Sequence, residues 1–261
     1  MYRRILVGYL ETESGHDALA LGRALARATG AELVTATAPD EQGRGLAELA
    51  RAHEAELIVL GSTHRGGLGR VIPGSTLEHL LGEAPCAVAV APPGFADPGG
   101  TAGEWRPLQA EGDDSGLRVV GVGYDASPAA AHALEFATEL ALRNRAAMRV
   151  FAVAPKHPRL PGGEAPTAAG SLPAEVEALR EALHKAVAEL PAEARALPVL
   201  RRGWAAEELV RAAATGVDLL LLGSRPGGPL RRTLHNSISS GVILRAPCPV
   251  LVVPTGIAAA A

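Results

Sequence analysis

The sequence predicts a repeated α/β fold, with parallel strands covered by helices on both faces. Three observations predict it. Short apolar runs alternate with stretches of helical periodicity. The runs lack the polar alternation of half-exposed strands, as expected where both sheet faces are buried. The pattern also occurs twice. Gly61-Ser62 follows Leu57-Ile58-Val59-Leu60, and Gly223-Ser224 follows Leu219-Leu220-Leu221-Leu222, 162 positions later (223 − 61). Ser75 and Ser237, Cys86 and Cys248, and Val90 and Val252 keep that offset. The chain therefore reads as two copies of one strand–loop–helix–strand unit.

The first copy opens on Arg4-Ile5-Leu6-Val7-Gly8-Tyr9 and the second on Val119-Val120-Gly121-Val122-Gly123-Tyr124, 115 positions apart (123 − 8). Each run predicts a first strand. Ala18, Leu21, Gly22, Leu25 and Ala26 then recur at helical spacing, as do Ala133, Phe136, Ala137, Leu140 and Ala141. Each set predicts an amphipathic helix lying on its strand. A second strand follows, Ala31–Ala38 and Met148–Ala154, ending both times in Ala-Pro. There the copies diverge. From Pro155 to Gly223 is 68 positions, but from Pro39 to Gly61 only 22. The longer interval predicts a loop (Pro155–Leu172), a helix (Pro173–Leu190), a short strand near Pro198–Arg201 and a helix near Trp204–Ala214. The shorter one holds only a helix near Leu46–His53. The first copy thus lacks one helix and one strand, 46 residues in all (68 − 22). Pro92–Gly116, rich in Pro, Gly and Asp, reads as a linker. The expected boundaries are 1–92 for the first domain, 93–116 for the linker, 117–255 for the second domain and 256–261 for a frayed tail.

Composition narrows the function. A chain of 261 residues with 48% hydrophobic and 20% charged residues and net charge −3 reads as soluble and globular. It is not basic enough for nucleic acid as the main partner. No apolar run reaches the roughly 18 residues of a membrane span, and Ile5–Leu10 is too short for a signal peptide. The two cysteines, at matched positions, read as small buried apolar residues in a reducing cytoplasm. No Gly-x-Ser-x-Gly, His-Glu-x-x-His or lysine-bearing phosphate loop occurs, and no metal-ligand spacing. An enzyme is the weaker reading, at most one that hydrolyses ATP slowly.

The candidate site in each copy is the loop after Gly61 or Gly223. A strand, a Gly-rich loop and a helix opening at Ser75 or Ser237 form either a phosphate cradle or simply a capped helix after a turn. The stretches GSTHRGGLGRVIPGST (Gly61–Thr76) and GSRPGGPLRRTLHNS (Gly223–Ser237), the strand starts quoted above and the closing Ala-Pro-Cys resemble the universal stress protein family, arranged in tandem. The resemblance implies two Rossmann-like, adenine nucleotide alpha hydrolase-like domains. Each would have a parallel sheet of order 3-2-1-4-5, the missing strand being the first domain's edge. Ligands in such sheets bind where the strand order reverses. The resemblance also implies ATP, with Mg²⁺ only alongside it, held by an Asp after strand 1 and by the loop glycines.

Carried over residue by residue, that pattern is incomplete in both copies. The first has Leu10 at the Asp position, then Gly61, His64, Gly74 and Ser75. The second has Asp125 with Ser127, Val153 as an adenine contact, Gly223-Ser224, Pro226 in place of the second glycine, then Asn236 and Ser237. One nucleotide site is expected, in one of the two copies: the second is favoured because it keeps Asp125 and the full set of elements, while the first has the more regular phosphate loop and stays open. The alternative is an interaction protein in which both sites are vestigial. The resemblance further implies that the last strands, Ala87–Ala91 and Val250–Val253, pair within the chain as an internal pseudo-dimer, with a homodimer of chains also open.

Overall fold

The apolar runs become the strands of one sheet. The computed structural model describes residues 1–37, 44–62, 80, 84–96, 116–156, 172–224 and 238–255. In the first half, β1 (Arg4–Gly8) lies between β2 (Glu32–Ala36) and β3 (Leu57–Gly61), and β4 (Ala87–Ala91) follows beside β3, all parallel. In the second half, β5 (Val119–Gly123) lies between β6 (Ala147–Ala154) and β8 (Leu219–Ser224), with β7 (Ala196–Arg202) beyond β6 and β9 (Val250–Pro254) beyond β8. β4 and β9 pair antiparallel, Ala89 opposite Leu251. The result is a nine-stranded sheet of order β2-β1-β3-β4-β9-β8-β5-β6-β7. The second half has the order 3-2-1-4-5. The first has the same order without an outer strand: among the described residues, none lies beyond β2.

The sequence offsets reappear as shared register. Gly8 stands opposite Ala36 as Gly123 stands opposite Phe151. Gly61 stands opposite Ala91 as Gly223 stands opposite Val253. Side chains alternate across the strands, so Ile5, Val7, Leu57 and Val59 enter the core on one face, and Leu6, Ile58 and Leu60 the core on the other. The first face is covered by α1 (Glu13–Thr29), α3 (Pro128–Asn144) and α4 (Leu172–Ala188). The second is covered by α2 (Arg44–Ala52), α5 (Ala205–Ala213) and α6 (Ile238–Ile243).

The two long helices α1 and α3 are built alike. Thr12 and Ser127 cap them, their hydroxyls accepting the N–H groups of Gly15 and Ala130, both at 3.2 Å. Both end in a left-handed residue, Gly30 and Arg145. The halves also meet through these helices: the Asn144 side-chain amide donates to the Ala28 carbonyl at 3.0 Å, and the Tyr2 ring packs on Phe136.

Where the second half is longer, the extra residues are α4, a short 3₁₀ turn (Ala192–Ala194) and β7. Pro198 lies within β7, which is an edge strand where a missing N–H is tolerated. Residues 93–96, placed in the linker from sequence, pack on the first half. Phe95 is 1% exposed, and the Asp17 carboxylate of α1 accepts the N–H groups of Gly94 at 3.0 Å and Ala96 at 2.7 Å. Asp17→Ala would leave those donors without their acceptor. It is expected to cost about 2–3 kcal/mol in urea denaturation; a loss below about 0.5 kcal/mol would show that the turn does not depend on Asp17. Trp105 and the 256–261 tail lie outside the described residues. No described helix is long and apolar enough to cross a membrane.

Candidate functional site

A cleft of about 560 Å³ opens in the second half, at the carboxyl ends of β5, β6 and β8. This is where a parallel sheet reverses its strand order and the flanking loops part. The order reverses at β5, whose neighbours β6 and β8 run on to opposite sides.

The β5–α3 turn builds one end. Asp125 Oδ1 accepts the Ser127 N–H at 3.0 Å, an Asx turn that lets Ala126 take a left-handed φ of 60°. Ser127 then caps α3, and Ala129 and Ala130 of its first turn line the cleft with Gly223. Close approach makes Gly223 necessary here: a Cβ on it would lie 2.1 Å from the Ala129 carbonyl oxygen. Asp125 is exposed, so its carboxylate is open to a ligand donor. Tyr124 lines the same end, and its N–H donates to the Phe151 carbonyl at 2.8 Å. Burial raises the Tyr124 phenol above its ordinary value, with Glu189 and then Asp125 adding to the effect. It is therefore protonated, and a donor, at neutral pH.

The other end is apolar. Phe151 and Val153 of β6, Pro155 beyond it, Leu209 of α5 and Trp204 line it, as does Lys156. The Gly203 N–H donates to the Ala154 carbonyl at 3.0 Å, holding the turn that carries Trp204 against the end of β6. In a chain with 3% aromatic residues, Tyr124, Phe151 and Trp204 meet at this one cleft. Such a division between apolar wall and polar terminus suits an amphipathic ligand with a flat ring and an anionic or hydroxylated part.

Asp125, Ser127, Val153 and Gly223, expected from sequence, therefore come together. Ser224 does not line the cleft: it continues β8 opposite Pro254, and its carbonyl accepts the Thr255 N–H at 2.9 Å. Asn236 and Ser237 lie outside the described residues, as do His64, Gly74 and Ser75 of the first half. Gly61 closes β3 in the first half, and a Cβ on it would lie 1.8 Å from the Ser14 carbonyl oxygen. Leu10, at the position matching Asp125, is 56% exposed and offers no acceptor side chain.

Tyr124, Lys156 and Trp204 also line the cleft and were not expected there from sequence. The available signals were Lys156 directly after the Ala-Pro that ends strand 2, and one of only two tryptophans placed at a helix start after Gly203. Cys86 and Cys248 are buried thiols, each pushed up to about 12 by that burial, so neither is a nucleophile. Among the described residues no cluster of metal-ligating side chains occurs.

Known proteins match both halves. Residues 35–92 and 116–254 match the model of the universal stress protein family. A universal stress protein of Mycobacterium tuberculosis (strain H37Rv) is 31% identical over 214 residues, covering 80% of this chain and 68% of that protein. A protein of unknown function from Pseudomonas aeruginosa PAO1 has a similar fold over 97% of this chain and 92% of its own, with TM-score 0.65 and 18% identity. A universal stress protein from Archaeoglobus fulgidus DSM 4304 does so over 97% and 88%, with TM-score 0.57 and 19% identity. With the family match spanning both halves of the sheet, the chain belongs to the universal stress protein family.

Proposed function

We propose that this protein binds an adenine nucleotide, AMP or ATP with Mg²⁺, in the cleft of its second half, and acts in a stress response through that binding. The observation that carries the reading is the division of the cleft. An apolar, aromatic wall at the β6–β7 end suits a base. The α3 terminus with Ser127 and the close backbone at Gly223 suit the polar part of a nucleotide. Asp125, an acceptor when ionised, takes a ribose or base donor, and would hold Mg²⁺ only together with phosphate. Lys156, which also lines the cleft, supplies positive charge. Family membership supports the same reading. The first half offers Leu10 where the second offers Asp125, and among the described residues it has no strand to match β7, whose far end leads to Trp204.

Calorimetry on the natively purified protein tests this. AMP and ATP–Mg²⁺ are expected to bind with one site per chain. Asp125→Ala is expected to weaken binding about tenfold, the loss of one charge-assisted hydrogen bond, and to cost about 1 kcal/mol of stability through the lost Asx-turn bond to the Ser127 N–H; Asp125→Asn, which keeps that acceptor, separates the two effects. A well-folded protein that binds neither nucleotide and releases none on denaturation would instead favour an interaction protein with vestigial sites.

A further inference from the structure

We propose that Trp204 reads the base: its indole stacks on a purine at the mouth of the second-half cleft and sets the preference for purine over pyrimidine nucleotides. This rests on the nucleotide reading above and extends it to a residue whose matching position in the first half, 162 places earlier (204 − 162), is Gln42.

Four observations carry it. First, Trp204 is 73% exposed although it lines the cleft, an unusual exposure for the largest apolar side chain. Second, its backbone is held on both sides. The Gly203 N–H donates to the Ala154 carbonyl at 3.0 Å, and the Trp204 carbonyl accepts the Glu208 N–H at 2.9 Å. Glu208 is itself fixed: it is 8% exposed and its carboxylate is bonded by Arg201, at 3.4 Å, and by Arg211. It also packs under Gly203, where a Cβ would lie 2.7 Å from its Cγ. An exposed aromatic ring on a fixed backbone is pre-organised for a flat ligand.

Third, Trp204 occupies the N-cap of α5 and makes no side-chain cap bond there. Ser, Thr, Asp or Asn would serve that position better, and a broken local rule marks a residue selected for something else. Fourth, Val153 and Pro155 form the adjacent wall, and Val153 is in register with Arg201, just before the Trp204 turn. The polar groups Asp125 and Ser127 belong to the β5–α3 turn, on the other side of β6. A base on the indole therefore leaves the sugar and phosphate directed toward the polar end. Every base offers a ring face, but purines overlap an indole over more area, so the contact discriminates by size.

Trp105→Phe leaves Trp204 as the only tryptophan. In that variant AMP is expected to quench the emission of Trp204. Trp204→Ala is expected to weaken AMP binding roughly tenfold or more, UMP binding by less, and ribose 5-phosphate binding not at all. Trp204→Phe is expected to stay within about threefold of wild type, since a ring face is restored. If AMP binds to the wild type by calorimetry but Trp204 emission is unchanged and Trp204→Ala keeps its affinity, the stacking proposal is overturned while the nucleotide reading stands. If AMP loss and ribose 5-phosphate loss are equal in Trp204→Ala, the role is structural and the proposal is likewise overturned. If the wild type binds no adenine nucleotide, both fall together.

Discussion

Gly223→Ala is expected to cost about 3 kcal/mol of stability, near the upper end for inserting one carbon into a packed site, and to weaken AMP binding at least tenfold. The added Cβ would stand 2.1 Å from the Ala129 carbonyl oxygen, 2.3 Å from its carbon and 2.7 Å from the Ala130 nitrogen. All three are backbone atoms of the first turn of α3, so no side chain can rotate away. The helix must lift off β8, and with it go the Ser127 cap and the polar end of the cleft. Gly61→Ala is the control. Its Cβ would stand 1.8 Å from the Ser14 carbonyl oxygen at the start of α1, so the stability loss should be similar. AMP binding should survive, because the cleft is in the other half. Thermal melting and calorimetry on both variants decide the matter. Binding lost in Gly61→Ala and kept in Gly223→Ala would assign the nucleotide to the first half.

Asp218→Ala is expected to destabilise the protein by about 3 kcal/mol, while Asp218→Asn stays close to wild type at neutral pH. Asp218 precedes β8 at the end of the sheet away from the cleft and is 8% exposed. Its Oδ2 accepts the N–H groups of Arg118 at 2.8 Å and Val119 at 2.7 Å, and its own N–H donates to the Val119 carbonyl at 2.9 Å. Alanine leaves two N–H groups at the start of β5 without their acceptor, each costing about 1–3 kcal/mol where buried; asparagine keeps an oxygen for them.

The pH dependence has a definite sign. Burial raises the Asp218 carboxyl above its ordinary 3.8, and the two backbone hydrogen bonds offset only part of that. Folding therefore favours the neutral acid. The stabilisation from this group is complete below the unfolded value and is lost as pH rises through the higher folded value. Asparagine has no such loss. In urea denaturation, wild type relative to Asp218→Asn should therefore lose stability as pH rises from about 3 through the weakly acidic range. A difference that instead grows in favour of wild type would mean that the folded protein prefers the carboxylate. AMP affinity should not change in Asp218→Asn.

The strands were legible because runs such as Leu57–Leu60 and Leu219–Leu222 are buried on both faces and carry no competing signal. Their order needed the family resemblance, since strand neighbours are not encoded in periodicity. β2 is shorter than Ala31–Ala38 suggested: it pairs only as far as Ala36, opposite Gly8 at the end of β1. Phe95 was hidden by its setting, because the Pro and Gly around it outweighed one aromatic residue. Its anchor Asp17 looks in sequence like any solvent-facing helix residue. The family pattern pointed to Asp125 and Val153, which line the cleft. Trp204 was not legible, because its neighbourhood exists only once β7 lies beside β6, and the matching position of the first half, Gln42, is not aromatic. Arg201 and Glu208 escaped for the same reason: they meet only when β7 and α5 are side by side.

The antiparallel contact of β4 with β9 has a further consequence. Between two identical subunits, such a contact would obey a twofold axis, and each change on one side would be repeated on the other. Within a single chain that constraint is lifted: one side can carry Leu10 where the other carries Asp125, and among the described residues only the second has a strand beyond its second one. Nor does dilution part the two sides, since their meeting is unimolecular rather than set by protein concentration. The first half thus serves as a resident partner, present in a fixed ratio of one to one and free to vary independently.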